Sequence, residues 1–281
     1  MKTILRLSLG AACLCLLCSA AFADPPPTTM KVYILDNGWL ECDANWMVAM
    51  SVVGTKGNPH PQARWIKIPV YAVLIDHPEG KFLYDTGCPP NLPNDAQAMF
   101  PYYHNENQTL EKQLSLAHTR PEEIKAVILS HMHVDHAGNI GLFKHAEVYL
   151  HKNEVEHAPT PGLSEPLNWE SLGRRCHLVE NDRDFARGVK LITLPGHSYG
   201  VLGLVVETKN DGVLIFPSDA IYTKANYGPP AKLSGIVYDT LSFFDSIEKV
   251  RRLATKHNAK VMFPHDMEFF KTLKLAPQCY E

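Results

Sequence analysis

An α/β fold is predicted by the punctuation of this sequence, in which short apolar runs closed by polar, proline or glycine turns alternate with segments of helical period. The clearest helix is Asp239 to His257. Leu241, Phe244, Ile247, Val250 and Leu253 recur there every three residues, close enough to 3.6 to make one apolar face, while Glu248, Lys249, Arg251 and Arg252 lie off it. No long linker, repeat or low-complexity stretch follows residue 28, so residues 24–281 read as one domain.

Lys31 to Leu35 and Ile66 to Asp76 read as strands, and Lys81 to Tyr84 returns after the Pro78-Glu79-Gly80 turn as a hairpin partner. Between them, Asp43 to Gly57 carries Trp46, Met47, Met50, Val52 and Val53 without clean periodicity and reads as core in preference to a lining loop. Asn105 to His118 is helix-like, with Leu110, Leu114 and Ala117 on one face. Thr119-Arg120-Pro121-Glu122 resembles a capping box, after which Ala126 to Ser130 is a compact apolar strand. Glu147 to Leu150, Lys190 to Leu194, Leu202 to Glu207, Val213 to Pro217 and Lys260 to Phe263 complete the strands.

Met1 to Ala23 stands apart from this pattern. Lys2 and Arg6 precede an apolar run from Leu7 to Leu17, and Ala21-Phe22-Ala23 offers small residues at both positions that a signal peptidase reads. A cleaved signal is expected, and with it a periplasmic or secreted protein. The apolar run is too short for a stable membrane span. The mature chain would keep Cys42, Cys88, Cys176 and Cys279, whose pairing the sequence leaves open; none has the C-x-x-C spacing of a cysteine metal or redox site. It would hold 25 Lys and Arg against 30 Asp and Glu, a formal charge of −5 with no basic stripe, so nucleic acid is not an expected partner.

The chemistry is concentrated in Leu129-Ser130-His131-Met132-His133-Val134-Asp135-His136-Ala137-Gly138. Three imidazoles and a carboxylate within six residues offer two ligand pairs, His131 with His133 and Asp135 with His136, enough to begin two sites for zinc or a similar divalent ion. Two ions need further ligands, and later strands end on candidates: His197 in Leu194-Pro195-Gly196-His197-Ser198, Asp219 in Pro217-Ser218-Asp219-Ala220 and His265 in Phe263-Pro264-His265-Asp266. Successive gaps from His136 are 61, 22 and 46 residues.

With these residues in place the chain resembles the metallo-β-lactamase superfamily, whose HxHxDH motif is followed by His, Asp and His on successive strand ends. The resemblance spans most of the mature chain and implies an αββα sandwich, two mixed β-sheets flanked by helices. It further implies His131, His133 and His197 on a first metal, Asp135, His136 and His265 on a second, and Asp219 bridging. Asp85 in Tyr84-Asp85-Thr86-Gly87 matches the family's strand-end DTG, whose carboxylate supports the ligands from behind.

Within the superfamily, an aspartate at 219 favours a dinuclear hydrolase over the β-lactamases, which lack one there. The long insert of the nucleic-acid-processing branch has no room, and no C-terminal basic cluster beyond Lys271 and Lys274 supports glutathione binding. Tyr222, three residues after Asp219, resembles the tyrosine that N-acyl-homoserine lactonases direct at the lactone. The implied reaction is lactone opening by a hydroxide shared between two zinc or other divalent ions, with Asp135 carrying the proton and Trp46, Met47 and Met50 walling the acyl chain. A broader esterase, phosphotriesterase or β-lactamase is the alternative, and a non-catalytic zinc-binding protein the remaining class. Homodimerisation is suggested by the resemblance alone.

Overall fold

The computed structural model describes residues 29–92, 94–157 and 175–281. The expected signal and the Pro25-Pro26-Pro27 stretch lie outside them. Among the described residues no helix is long and apolar enough to cross a membrane.

Two mixed sheets form the frame. The first contains β1 (Lys31–Asp43), β2 (Trp65–His77), β3 (Gly80–Tyr84), β4 (Tyr102–Tyr103), β5 (Ile124–Ile128), β6 (Glu147–His151) and β7 (Cys176–Val179), ordered β4-β1-β2-β3-β5-β6-β7. The second contains β8 (Arg183–Ala186), β9 (Val189–Thr193), β10 (Leu202–Glu207), β11 (Val213–Phe216) and β12 (Lys260–Val261), ordered β12-β11-β10-β9-β8. β3, β5, β6 and β7 run parallel, as do β11 and β12, while the other pairings are antiparallel.

Alternation along each strand makes the layers. In β1, Val32 and Ile34 face the second sheet, where they join Leu191, Leu204 and Phe216, while Tyr33 and Leu35 face outward against Leu110 and Leu114. On the far side Ile192, Val205 and Ile215 meet Phe243, Ile247 and Val250 of the helix Thr240–His257. Helix, sheet, sheet, helix is therefore the observed order of layers, as the resemblance implies.

The helix Thr240–His257 begins where Asp239 accepts hydrogen bonds from Leu241 N and Ser242 N, and ends at Asn258 in a left-handed conformation. Its buried face keeps Ile247 and Val250 of the one read in sequence, with Phe244 and Leu253 packed at its edge, and adds Phe243 and Ser246; Leu241 is 78% exposed, because a repeat of three drifts off a stripe of 3.6. The capping box also moves: Glu123, not Glu122, accepts from Arg120 N, and Thr119 Oγ1 donates to Ala117 O instead. The short strands β4, β7 and β8 have no counterpart in the sequence reading. The segment expected to be core folds as a turn of helix, Ala44–Met47, of which Met47 is buried, whereas Met50 is 78% exposed. Cys42, Cys88, Cys176 and Cys279 are all free thiols.

Replacing Ile247 by alanine should cost about 2–5 kcal/mol of folding stability, whereas Leu241→Ala should change it by no more than about 0.5 kcal/mol. Denaturant titration of the two variants checks this, and equal losses would contradict the packing of the helix.

Candidate metal centre

All the sequence-predicted ligands arrive at one end of the sandwich. β5 delivers Ser130, His131 and His133, and the single helical turn Val134–Ala137 that follows presents Asp135 and His136. β3 delivers Asp85, β9 leads into His197, β11 into Asp219 and β12 into His265. β9 and β11 both pair antiparallel with β10, so they run the same way, and their C-terminal ends open beside that of β12. Leu202 N donates to Ser130 O at 2.8 Å and ties the two sheets together at this end.

Two side-chain clusters result. His131, His133, His197 and Asp219 form one, and Asp135, His136 and His265 the other. In the first, His197 Nε2 lies 3.2 Å from His131 Nε2 and 3.0 Å from His133 Nδ1. In the second, His136 Nε2 and His265 Nε2 lie 3.4 and 3.5 Å from Asp135 Oδ2. Asp219 belongs to both. Its Oδ2 faces His131 and His197 at 3.6 and 3.4 Å, and its Oδ1 faces His136 and His265 at 3.2 and 3.1 Å.

These spacings suit metal ligands. Donor atoms held tetrahedrally at about 2.0–2.1 Å from zinc stand roughly 3.3 Å from one another. The tautomers agree, because most outward ring nitrogens already have acceptors. His131 Nδ1 donates to Ser130 Oγ at 3.0 Å, His136 Nδ1 to Asp85 Oδ2 at 2.9 Å, His197 Nδ1 to Ile236 O at 3.1 Å and His265 Nδ1 to Pro69 O at 3.0 Å. With each ring neutral, the inward atoms are lone pairs facing lone pairs. His136 Nε2 and Asp219 Oδ1 are buried without any hydrogen-bond partner among the described residues, an arrangement a cation would relieve.

Charge points the same way. Burial, with His136 next, holds the His131 imidazole well below its ordinary pKa, and burial with His197 brings His133 down to about 3, so both are neutral and able to bind metal. Burial alone would raise Asp135, but His136 and His265 outweigh it and hold the carboxyl at about 2. Burial would equally lower His136, yet Asp219, Asp135 and Asp85 drive it well above the usual imidazole range. The field around the second cluster thus favours positive charge.

The supporting residues include some that sequence reasoning missed. Asp85, left-handed at φ 58°, accepts from Ser130 N at 2.7 Å and from Ser130 Oγ at 2.9 Å, and Ser218 Oγ donates to Ser130 Oγ at 2.8 Å. Ser130 stood next to the motif as a signal, but the backbone carbonyls of Pro69 and Ile236 carry none. Gly196 has φ +138°, and a Cβ there would lie 2.4 Å from the Phe243 Cα, so only glycine lets the His197 loop rest on the helix Thr240–His257.

A cavity opens onto the clusters, lined on their side by His133, Asp135, Asp219, Tyr222 and His265. Leu40, Met47, Ile68, Leu92, Ala96 and Phe100 wall it. Of the three residues expected there, Met47 alone lines it; Trp46 packs edge-on to Phe100 with ring centroids 4.8 Å apart, and Met50 turns to solvent. Tyr222 reaches the cavity, but its hydroxyl, expected to face a substrate, lies 2.8 Å from His197 Nδ1, whose one N–H it shares with Ile236 O. Burial, with Asp219 and Asp135 next, keeps that hydroxyl protonated far above neutral pH, so it retains a proton to donate.

Comparison with known proteins places this arrangement. The chain is 33% identical over 268 residues to the N-acyl homoserine lactonase AiiB of Rhizobium rhizogenes, covering 86% of this chain and 96% of that protein. It is 29% identical over 267 residues to the N-acyl homoserine lactonase AiiA of Bacillus thuringiensis subsp. kurstaki, with 89% and 99% covered. Among solved structures, an N-acyl homoserine lactone hydrolase with the product N-hexanoyl-L-homoserine at its catalytic metal centre shares the fold, with a TM-score of 0.76 at 24% identity over 89% of this chain and 98% of that one. The model of the metallo-beta-lactamase superfamily matches residues 65–265. That match begins at β2 and closes on the histidine after β12, taking in every strand end that builds the two clusters, and the chain belongs to the metallo-β-lactamase superfamily.

Proposed function

We propose that this metal-dependent hydrolase opens the ring of N-acyl-homoserine lactones, with two zinc ions held by His131, His133 and His197 and by Asp135, His136 and His265, and with Asp219 between them. The observation that carries the reading is the division of the Asp219 carboxylate, one oxygen toward each cluster, beneath an apolar cavity. Two relatives of similar length named as N-acyl homoserine lactonases support the substrate class. Imidazole and carboxylate donors suit zinc. Residues 1–23 would direct the protein to the periplasm or medium.

Two such ions, when bound, lower the pKa of water and polarise a carbonyl oxygen. The chain's own residues do the rest. The ring carbonyl fits beside Tyr222, whose O–H can donate to the oxygen as negative charge develops, while His197 Nδ1–H donates to the same phenolic oxygen and strengthens it as a donor. Asp135, at 13% side-chain exposure the most open carboxylate of the two clusters, is placed to carry a proton to the departing alkoxide. Met47, Ile68, Ala96 and Phe100 would bury an acyl chain, each methylene contributing about 0.8 kcal/mol.

Initial rates on a panel of lactones, a β-lactam, a thioester and a phosphotriester, before and after chelation and zinc return, test the assignment. Metal-restored hydrolysis strongest on acyl-homoserine lactones is expected; preference for another ester would keep the hydrolase and discard the substrate. Tyr222→Phe should lower kcat about 100-fold with metal content unchanged, and full turnover would remove Tyr222 from the reaction. His133→Ala should lose metal and activity together, as metal analysis of the purified variant would reveal. Ala96→Phe should shift preference toward short acyl chains by about tenfold in kcat/KM, and an unchanged chain-length profile would place the acyl group elsewhere.

A further inference from the structure

Lys152-Asn153-Glu154-Val155-Glu156 has the composition of a solvated turn, and it follows β6 as the short helix Lys152–Glu156. Glu154 nevertheless lies inside, at 8% exposure. A carboxylate loses much hydration on burial and persists only where donors meet it. Gly200 N donates to Glu154 Oε1 at 2.8 Å. That N–H opposes the upward pull of burial on the carboxyl's pKa.

Donor and acceptor belong to segments of different sheets. Glu154 follows β6, which lies beside β5 in the first sheet; Gly200 follows His197 in the β9–β10 hairpin of the second. The turn itself is anchored, because His151 Nδ1 accepts from Asn153 N at 3.1 Å. A Cβ on Gly200 would lie 2.5 Å from that same Nδ1, so the hairpin presses directly on the His151 ring.

We infer that Glu154 is a positioning residue whose carboxylate fastens the hairpin after β9 to the turn after β6, holding His197 in register with His131 and His133 at the end of the neighbouring β5. The inference rests on the two clusters being metal sites, but not on any particular substrate. Glu154 touches no reacting atom, and its effect passes through the spacing of three imidazoles drawn from two sheets.

The test is chelator competition on the full-length protein loaded with zinc, which reads the affinity of each ion without a substrate. Glu154→Ala should weaken one of the two ions about 10–100-fold, the range found when partners of metal ligands are removed. Glu154→Gln, which keeps an acceptor for Gly200 N, should fall between it and the parent, and carries the test should the alanine variant not fold. Val250→Ala, a cavity in the outer core, should lower Tm yet leave both affinities as they were. Parental affinities in both Glu154 variants, or an equal loss in Val250→Ala, would overturn the positioning role. A parent protein binding no zinc would overturn the metal reading, and this inference with it.

Discussion

Asp85, Asp135 and Asp219 lose most of their water when the two sheets close, and the way each is compensated shapes everything around it. Asp85 is met by one main-chain N–H, one hydroxyl and one ring N–H, a complete set that leaves it a fixed acceptor behind His136. Asp135 and Asp219 are met only by imidazole nitrogens whose ring protons mostly point the other way. A shell of inward lone pairs around two carboxylates is costly in a low-dielectric interior unless positive charge enters it. The donor geometry, the orphaned polar atoms and the charge imbalance are three expressions of that single requirement.

Meeting it demands that segments far apart in sequence end at one place. The sandwich does this by running β3 and β5 of one sheet, and β9, β11 and β12 of the other, with their C-terminal ends together. Local backbone is bent to suit. Asp85 and Ser218 are both left-handed, at φ 58° and 49°, a conformation that costs non-glycine residues on the order of 1–3 kcal/mol. Each is fixed by hydrogen bonds through Ser130, so the strain sits where the support is strongest.

Much of this was legible in the sequence, for identifiable reasons. Strands buried on both faces are continuous apolar runs, and a ligand that follows such a run at once stands out, which is why His131, His197, Asp219 and His265 could be named from order and chemistry. Edge strands give no such signal. β4 is two residues of tyrosine, and β7 and β8 bury little, so nothing distinguishes them from loops. The helix after Asp239 was readable but not where its apolar face ends, since a repeat of three drifts round a helix of 3.6 and left Leu241 in solvent. The supports of Pro69 O, Ile236 O and Glu154 exist only once two sheets have met, and no residue type announces a carbonyl.

The scatter of the seven clustered residues along the chain, from 131 to 265, also has a thermodynamic meaning. In the unfolded polymer His131 and His265 are separated by well over a hundred residues, so the clusters vanish with the fold and any ion they hold is released on unfolding. Ion occupancy and folding are then linked equilibria: each ion at a hundred times its dissociation constant adds about 2.7 kcal/mol, comparable to a well-buried side chain. Stability becomes a function of composition outside the molecule. The same chain would stand at different distances from its unfolding threshold in metal-rich and metal-poor surroundings, without a single change in its sequence.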